Sequence, residues 1–111
     1  MTYQSLFWLM RYNLISWNIN GIRAIQQKGL FEYLTHENPD IICFQETKAL
    51  PEQLDGALTN PEPYTAEFHS CSLRKGYSGV ATYSRPKPIQ TIRELGKVEF
   101  DAEGRMIAQD F

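Results

Sequence analysis

Two asparagines one residue apart, Asn18 and Asn20 in "ISWNINGIRA" (15–24), and a glutamate, Glu46, closing the apolar run "DIICFQE" (40–46) are the residues best suited to chemistry in this chain. Asparagine is depleted in strands because its amide competes with the backbone for hydrogen bonds, so two of them where a strand-like run ends call for a reason. A carboxylate with amide oxygens in reach makes a hard, all-oxygen half-site of the kind that suits Mg²⁺ or Mn²⁺. Magnesium commonly takes only one or two carboxylates and completes its octahedron with water and substrate phosphate. A solvated strand end, where polar residues gather anyway, fits the same residues.

Cations lie close by in sequence. Arg23, Lys28 and Lys48 follow the two asparagines and the glutamate, on the side where a phosphate would sit. In "LRKGYSG" (73–79), Arg74 and Lys75 stand beside Gly76 and Tyr77. Glycine admits a backbone close to a phosphate, tyrosine stacks or hydrogen-bonds, and the cations attract an anion. An ordinary hairpin tip would carry the same residues. His36 and His69 show no recognisable partner and read as structural.

These residues need elements to bring them together. Residues 12–19 alternate, with Leu14, Ser16 and Asn18 on one face and Ile15, Trp17 and Ile19 on the other, which predicts a strand. Ile25, Leu30, Phe31 and Leu34 at helical spacing predict a helix over 25–36, interrupted near Gly29, and "DIICFQE" predicts a second strand. Strand, helix and strand in that order predict two parallel strands whose carboxyl ends, carrying Asn18, Asn20, Gln45 and Glu46, share one edge. Ligand sites of open α/β sheets lie at such an edge. Pro51 predicts a short helix running to about Leu58; 64–71 and 78–85 predict a strand pair around "SLRKGYSG"; "IQTIREL" and "GRMIAQDF" predict another pair with "DAEG" as its turn.

With 111 residues, 42% hydrophobic and 22% charged, the composition is that of one soluble globular unit. A net charge of -2 carries no global signature of nucleic-acid binding, so such a role needs a local patch. Cys43 and Cys71 lack metal-type spacing and read as buried, reduced thiols, as in the cytoplasm. No stretch is long and apolar enough for a membrane span.

Four motifs, "LISWNINGIRA", "NPDIICFQETK", "RKGYSGVATYSR" and "DAEGRMIAQDF", stand in the order and approximate spacing of the exonuclease III family of abasic-site endonucleases, within the endonuclease/exonuclease/phosphatase superfamily. Residues 12–111 resemble that family closely. The resemblance implies an α/β protein, part of a four-layer α/β/β/α sandwich of the deoxyribonuclease I type with mixed sheets. It also implies Mg²⁺-dependent hydrolysis of DNA phosphodiesters, 5′ to abasic sites and from the 3′ ends of duplex DNA, by an enzyme monomeric at full length. Glu46 matches the family's metal-binding glutamate and Asn18 its active-site asparagine, while Asn20 falls where relatives carry Asn or Asp near the metal. Arg23, Ala24, Lys28, Gly76 and Tyr77 match positions that touch the DNA backbone, and Lys48 matches a basic residue beside the site.

The family's later motifs, which supply a catalytic tyrosine, an Asp-Asn pair and an Asp-His pair, have no counterpart here. The expectation is therefore an amino-terminal portion, residues 10–111, preceded by a dispensable extension of residues 1–9 and inactive in isolation. Two alternatives stand beside it: a phosphoinositide or sphingomyelin phosphodiesterase of the same superfamily, against which the "RKGYSG" loop argues, and a noncatalytic module that grips nucleic acid or a partner.

Overall fold

A computed structural model describes residues 11–111; the extension expected over 1–9 and the alternative start at Met10 lie outside the described residues. Strand β1 (Leu14–Asn18) is followed by two short helices, α1 (Ile22–Gln27) and α2 (Leu30–Glu37), and then by β2 (Ile41–Gln45). A 3₁₀ turn (Pro51–Gln53) and helix α3 (Gly56–Thr59) lead to the antiparallel pair β3 (Thr65–His69) and β4 (Val80–Ser84). Strand β5 (Gln90–Ile92), helix α4 (Val98–Asp101) and strand β6 (Ala108–Asp110) complete the chain.

The four longer strands form a mixed sheet in the order β1-β2-β4-β3, with β1 and β2 parallel and in register from Leu14 opposite Ile41 to Asn18 opposite Gln45. The expected parallel pair, with both polar ends at one edge, is therefore present. Alternation decides which face each residue serves. Trp17, Ile42, Phe44, Ala81 and Tyr83 turn to the helical side, where Ile22, Leu30, Leu34 and Leu58 are buried against them. Removing this much apolar surface from water is the main force holding helices to sheet. Aromatic contacts sharpen the fit: Phe44 and Tyr83 meet edge to face at 5.1 Å, and Tyr83 donates to the carbonyl of Leu58 at 2.6 Å. Asp55 caps α3, its carboxylate accepting from the amide of Leu58 at 3.1 Å.

The opposite face carries Ser16, Asn18, Cys43, Gln45, Thr82, Glu67 and His69. The β5-β6 ribbon lies over its β3-β4 side, tied by Thr82 donating to Gln109 at 2.8 Å and by an ion pair between Arg93 and Glu67. On the β1 side the face is open, and Leu14 is 64% exposed. Both cysteines are free thiols, and burial pushes that of Cys43 up. Among the described residues, no helix is long and apolar enough to cross a membrane.

Several expected boundaries shift. The helical stretch expected over 25–36 begins earlier, at Ile22, and the expected interruption at Gly29 divides it into α1 and α2. The expected helix from Pro51 to Leu58 is a 3₁₀ turn and a separate α3, since Leu54 and Asp55 are extended. "IREL" leaves the strand after Ile92, and the expected "DAEG" turn is present over residues 102–104, directly after a short helix that ends at Asp101.

Candidate active site

Three chain segments converge where β1 and β2 end. Beyond Asn18, the amide of Ile19 still reaches the Gln45 carbonyl at 3.1 Å, after which Gly21 and Ile22 donate to the carbonyls of Glu46 and Thr47 at 2.7 and 3.0 Å. The loop before β4 closes on the same place, with Thr47 donating to Gly79 at 3.1 Å and Lys48 to Ser78 at 2.9 Å. "SWNING", "QETK" and "GYSG" are thus joined by backbone hydrogen bonds although they are far apart in sequence.

Backbone strain gathers at the same place. Among the described residues, five non-glycine residues have a left-handed φ, and four of them, Asn20, Glu46, Lys48 and Ser78, belong to these segments. Each such conformation costs roughly 1–3 kcal/mol and survives only where the surroundings over-determine it, as they do at functional sites. Gly79 shows how little room is left: with a φ of 91°, a Cβ there would lie 2.3 Å from the hydroxyl oxygen of Thr47. Thr47 is 1% exposed, and its hydroxyl has no hydrogen-bond partner among the described residues.

The polar side chains fall into distinct environments. Asn18 is exposed on the outer face of β1, and its side-chain oxygen accepts from the Asn20 amide at 3.2 Å. Asn20, with a φ of 49°, has left the strand, so the two asparagines do not share its alternation; the Asn20 side-chain oxygen takes the ammonium of Lys48. Glu46 is half-buried, and among the described residues its carboxylate has no ion pair or side-chain hydrogen bond. No group of three or more His, Cys, Asp or Glu able to hold a metal occurs among the described residues. A carboxylate without a partner among the described residues, on a segment bonded to the one that bears the asparagines, nevertheless suits a hard cation that takes its remaining oxygens from water and phosphate.

Cations surround this edge. Arg23 and Ala24 are exposed in the first turn of α1, and Lys28 is exposed at its end. Gly76 and Tyr77 are exposed on the loop, where the guanidinium carbon of Arg74 lies 5.0 Å from the Tyr77 ring centre. Arg105, which the sequence reading passed over, stands 5.5 Å from the same ring and donates to the Tyr77 hydroxyl at 2.9 Å. Its Nε donates to Glu103 at 2.8 Å, and that bond is the main reason its guanidinium holds its proton more tightly than usual. The signal for Arg105 was its place directly after "EG" in the last motif: Gly104 is buried with a φ of 64°, and a Cβ on it would lie 2.5 Å from the carbonyl carbon of Ser70.

His69, read as lacking a partner, has two: its Nδ1 lies 2.8 Å from the Met106 carbonyl oxygen and its Nε2 lies 2.9 Å from that of Asp101. His36, by contrast, is exposed on α2. A cleft of about 410 Å³ lined by Leu34, Asn38, Tyr64 and Arg85 lies at the other end of the strands.

The family model described as Endonuclease/Exonuclease/phosphatase family matches residues 15–109. The chain is 46% identical over 99 residues to an exodeoxyribonuclease of Bacillus subtilis, covering 88% of this chain and 38% of that protein. It is 38% identical to the DNA repair nuclease APEX1 of Danio rerio, covering 88% of this chain and 32% of the other. Among solved structures, an AP endonuclease from Archaeoglobus fulgidus superposes with a TM-score of 0.70 at 27% identity, over 89% of this chain and 37% of that one. The catalytic domain of APE2 from Xenopus laevis does so with a TM-score of 0.65 at 41% identity, over 80% and 29%. The chain thus spans about a third of the length of these relatives.

Proposed function

The chain belongs to the Endonuclease/Exonuclease/phosphatase family, and we propose that it forms the part of a DNA-repair nuclease that grips the DNA backbone and supplies the first metal ligands. The observation that carries this reading is the backbone-bonded convergence of "SWNING", "QETK" and "GYSG" on one strained edge, with the Glu46 carboxylate unpaired among the described residues. Duplex DNA bearing abasic sites or 3′ ends is the proposed substrate. The relatives' names point the same way, an exodeoxyribonuclease and AP endonucleases.

In this reading Glu46 and Asn18 hold Mg²⁺ or Mn²⁺, while Asn20, occupied by Lys48, sets the position of that ammonium at the edge of the site. The ion supplies Lewis-acid stabilisation of charge on a phosphoryl oxygen. Arg23 and Lys28 on α1 meet backbone phosphates on one side of the site, and Ala24, being small, lets the strand come close to the helix. Gly76 and Tyr77 meet the backbone on the other side. Such contacts set register on the duplex without reading sequence. Because the cations are local, a net charge of -2 is no obstacle. Free Cys43 and Cys71 accord with a reducing cytoplasm.

The test is incision of an abasic duplex by the complete enzyme that contains this chain. Cleavage 5′ to the lesion that stops on chelation and returns with Mg²⁺ supports the reading; turnover undiminished in chelator overturns it. For the 111 residues alone, the lack of a three-ligand acidic cluster among the described residues favours binding without turnover.

A further inference from the structure

We propose that His69 is a positioning residue for the Tyr77–Arg105 contact, holding residues 101–106 against the end of β3 only while both its ring nitrogens carry hydrogen. The inference rests on the reading that the Tyr77 loop faces DNA, and it names the group that sets that loop's partner in place.

Both neighbours of the ring are backbone carbonyl oxygens, that of Met106 at 2.8 Å from Nδ1 and that of Asp101 at 2.9 Å from Nε2. A carbonyl only accepts, and a neutral imidazole has a single N–H, so both bonds exist together only in the imidazolium. In the neutral ring one carbonyl instead faces a nitrogen lone pair. The two carbonyls bracket the segment that bears Glu103, Gly104 and Arg105. That segment touches β3 with no slack at Gly104, and Ser72 anchors it further by donating its amide to the Ala102 carbonyl at 2.9 Å. Arg105 is the residue next to Met106, so freeing the Met106 carbonyl loosens the arm that places its guanidinium on Tyr77.

Among the described residues, no other charge around His69 substitutes for its second hydrogen. On β3, Glu67 shares its face and is paired with Arg93. From β4 the residue opposite is Val80, with Gln45 of β2 beyond it, and neither titrates. On the covering segment the Asp101 carboxylate accepts from the amides of Leu95 and Gly96, and Glu103 is paired with Arg105. The loop that follows β3 contributes Arg74 and Lys75, both exposed.

The experiment is imidazole nitrogen NMR on the whole chain, with exposed His36 as internal reference, joined to duplex-binding titrations at about pH 6 and about pH 8. The expected result is a His69 ring with exchange-protected hydrogens on both nitrogens at the lower pH, and Tyr77 and Arg105 resonances that shift as one hydrogen is lost. Duplex affinity is then about fivefold weaker at the higher pH. In His69→Gln the dependence on pH vanishes and binding stays at the weaker level, whereas His69→Lys, a permanent donor over this range, restores affinity without pH dependence. A His69 ring that exchanges like His36, or Tyr77 and Arg105 signals indifferent to its titration, overturns the proposal. If those signals follow His69 while duplex affinity stays constant, the positioning role stands and the DNA-facing reading of the loop falls.

Discussion

Glu46 and Thr47 are neighbours with opposite demands. The Glu46 carboxylate lacks a protein partner among the described residues and is proposed to find one in a cation. In the complete enzyme Glu46→Gln keeps the shape and removes the charge, so kcat should fall at least ~100-fold, or roughly 2.7 kcal/mol of barrier. Wild-type turnover at saturating Mg²⁺ would remove Glu46 from the site. Thr47 has a buried hydroxyl without a partner among the described residues. Leaving such a group unpaired costs about 1–3 kcal/mol, so Thr47→Val, which substitutes a methyl of similar size, should leave stability unchanged or raise it by about 1 kcal/mol in denaturant titrations. A loss of more than that would show that the hydroxyl has a partner in solution.

At the scale of elements, the loop from Ser70 to Gly79 is held at its second end by Thr47 and Lys48, just beyond β2, and carries Tyr77 between two guanidiniums. Tyr77→Ala in the complete enzyme should weaken binding to an abasic duplex while leaving the Mg²⁺ titration midpoint in place, because the loop meets backbone and not the ion. A shifted metal midpoint with unchanged duplex affinity would place the loop over the ion instead. Burial of Tyr83 between α3 and β2 raises its phenol, chiefly by desolvation, and Tyr64 is raised in the same sense. A raised tyrosine favours the neutral form in the fold, so its contribution is complete below the unfolded value of about 10 and is lost as pH climbs above it. Stability should therefore decline above about pH 10, and less steeply in Tyr83→Phe.

The whole molecule is a mixed sheet with helices on one face and a two-stranded ribbon over part of the other, leaving Leu14 and the β1 side of that face in solvent. Among the described residues Glu46 is the carboxylate at the strand-end site, and catalytic groups act as a unit, so a single carboxylate is expected to support little of the rate. Incubated alone with an abasic duplex and Mg²⁺, the 111-residue chain should bind in a salt-dependent manner and show no cleavage. Metal-dependent turnover abolished by Glu46→Gln would show that the site is sufficient as it stands.

Much of this was legible in one dimension because the signals are local. Period-two alternation through Leu14–Asn18 and apolar density in "IICFQ" determined two strands, their order around a helical stretch made them parallel, and parallel strands put Asn18 and Glu46 at one edge. Boundaries were less legible. The break at Gly29 was legible, but the early start at Ile22 goes with hydrogen bonds that the "QETK" backbone accepts from Gly21 and Ile22, and spacing cannot display a partner 25 residues away. The departure of Asn20 from the strand is likewise a matter of backbone conformation. Only the tertiary structure brought residues 101–106 onto the end of β3, and with them Arg105 onto Tyr77 and two carbonyls onto His69. A histidine's partners here are backbone oxygens, which every residue type carries alike, so no pattern of side chains could have announced them.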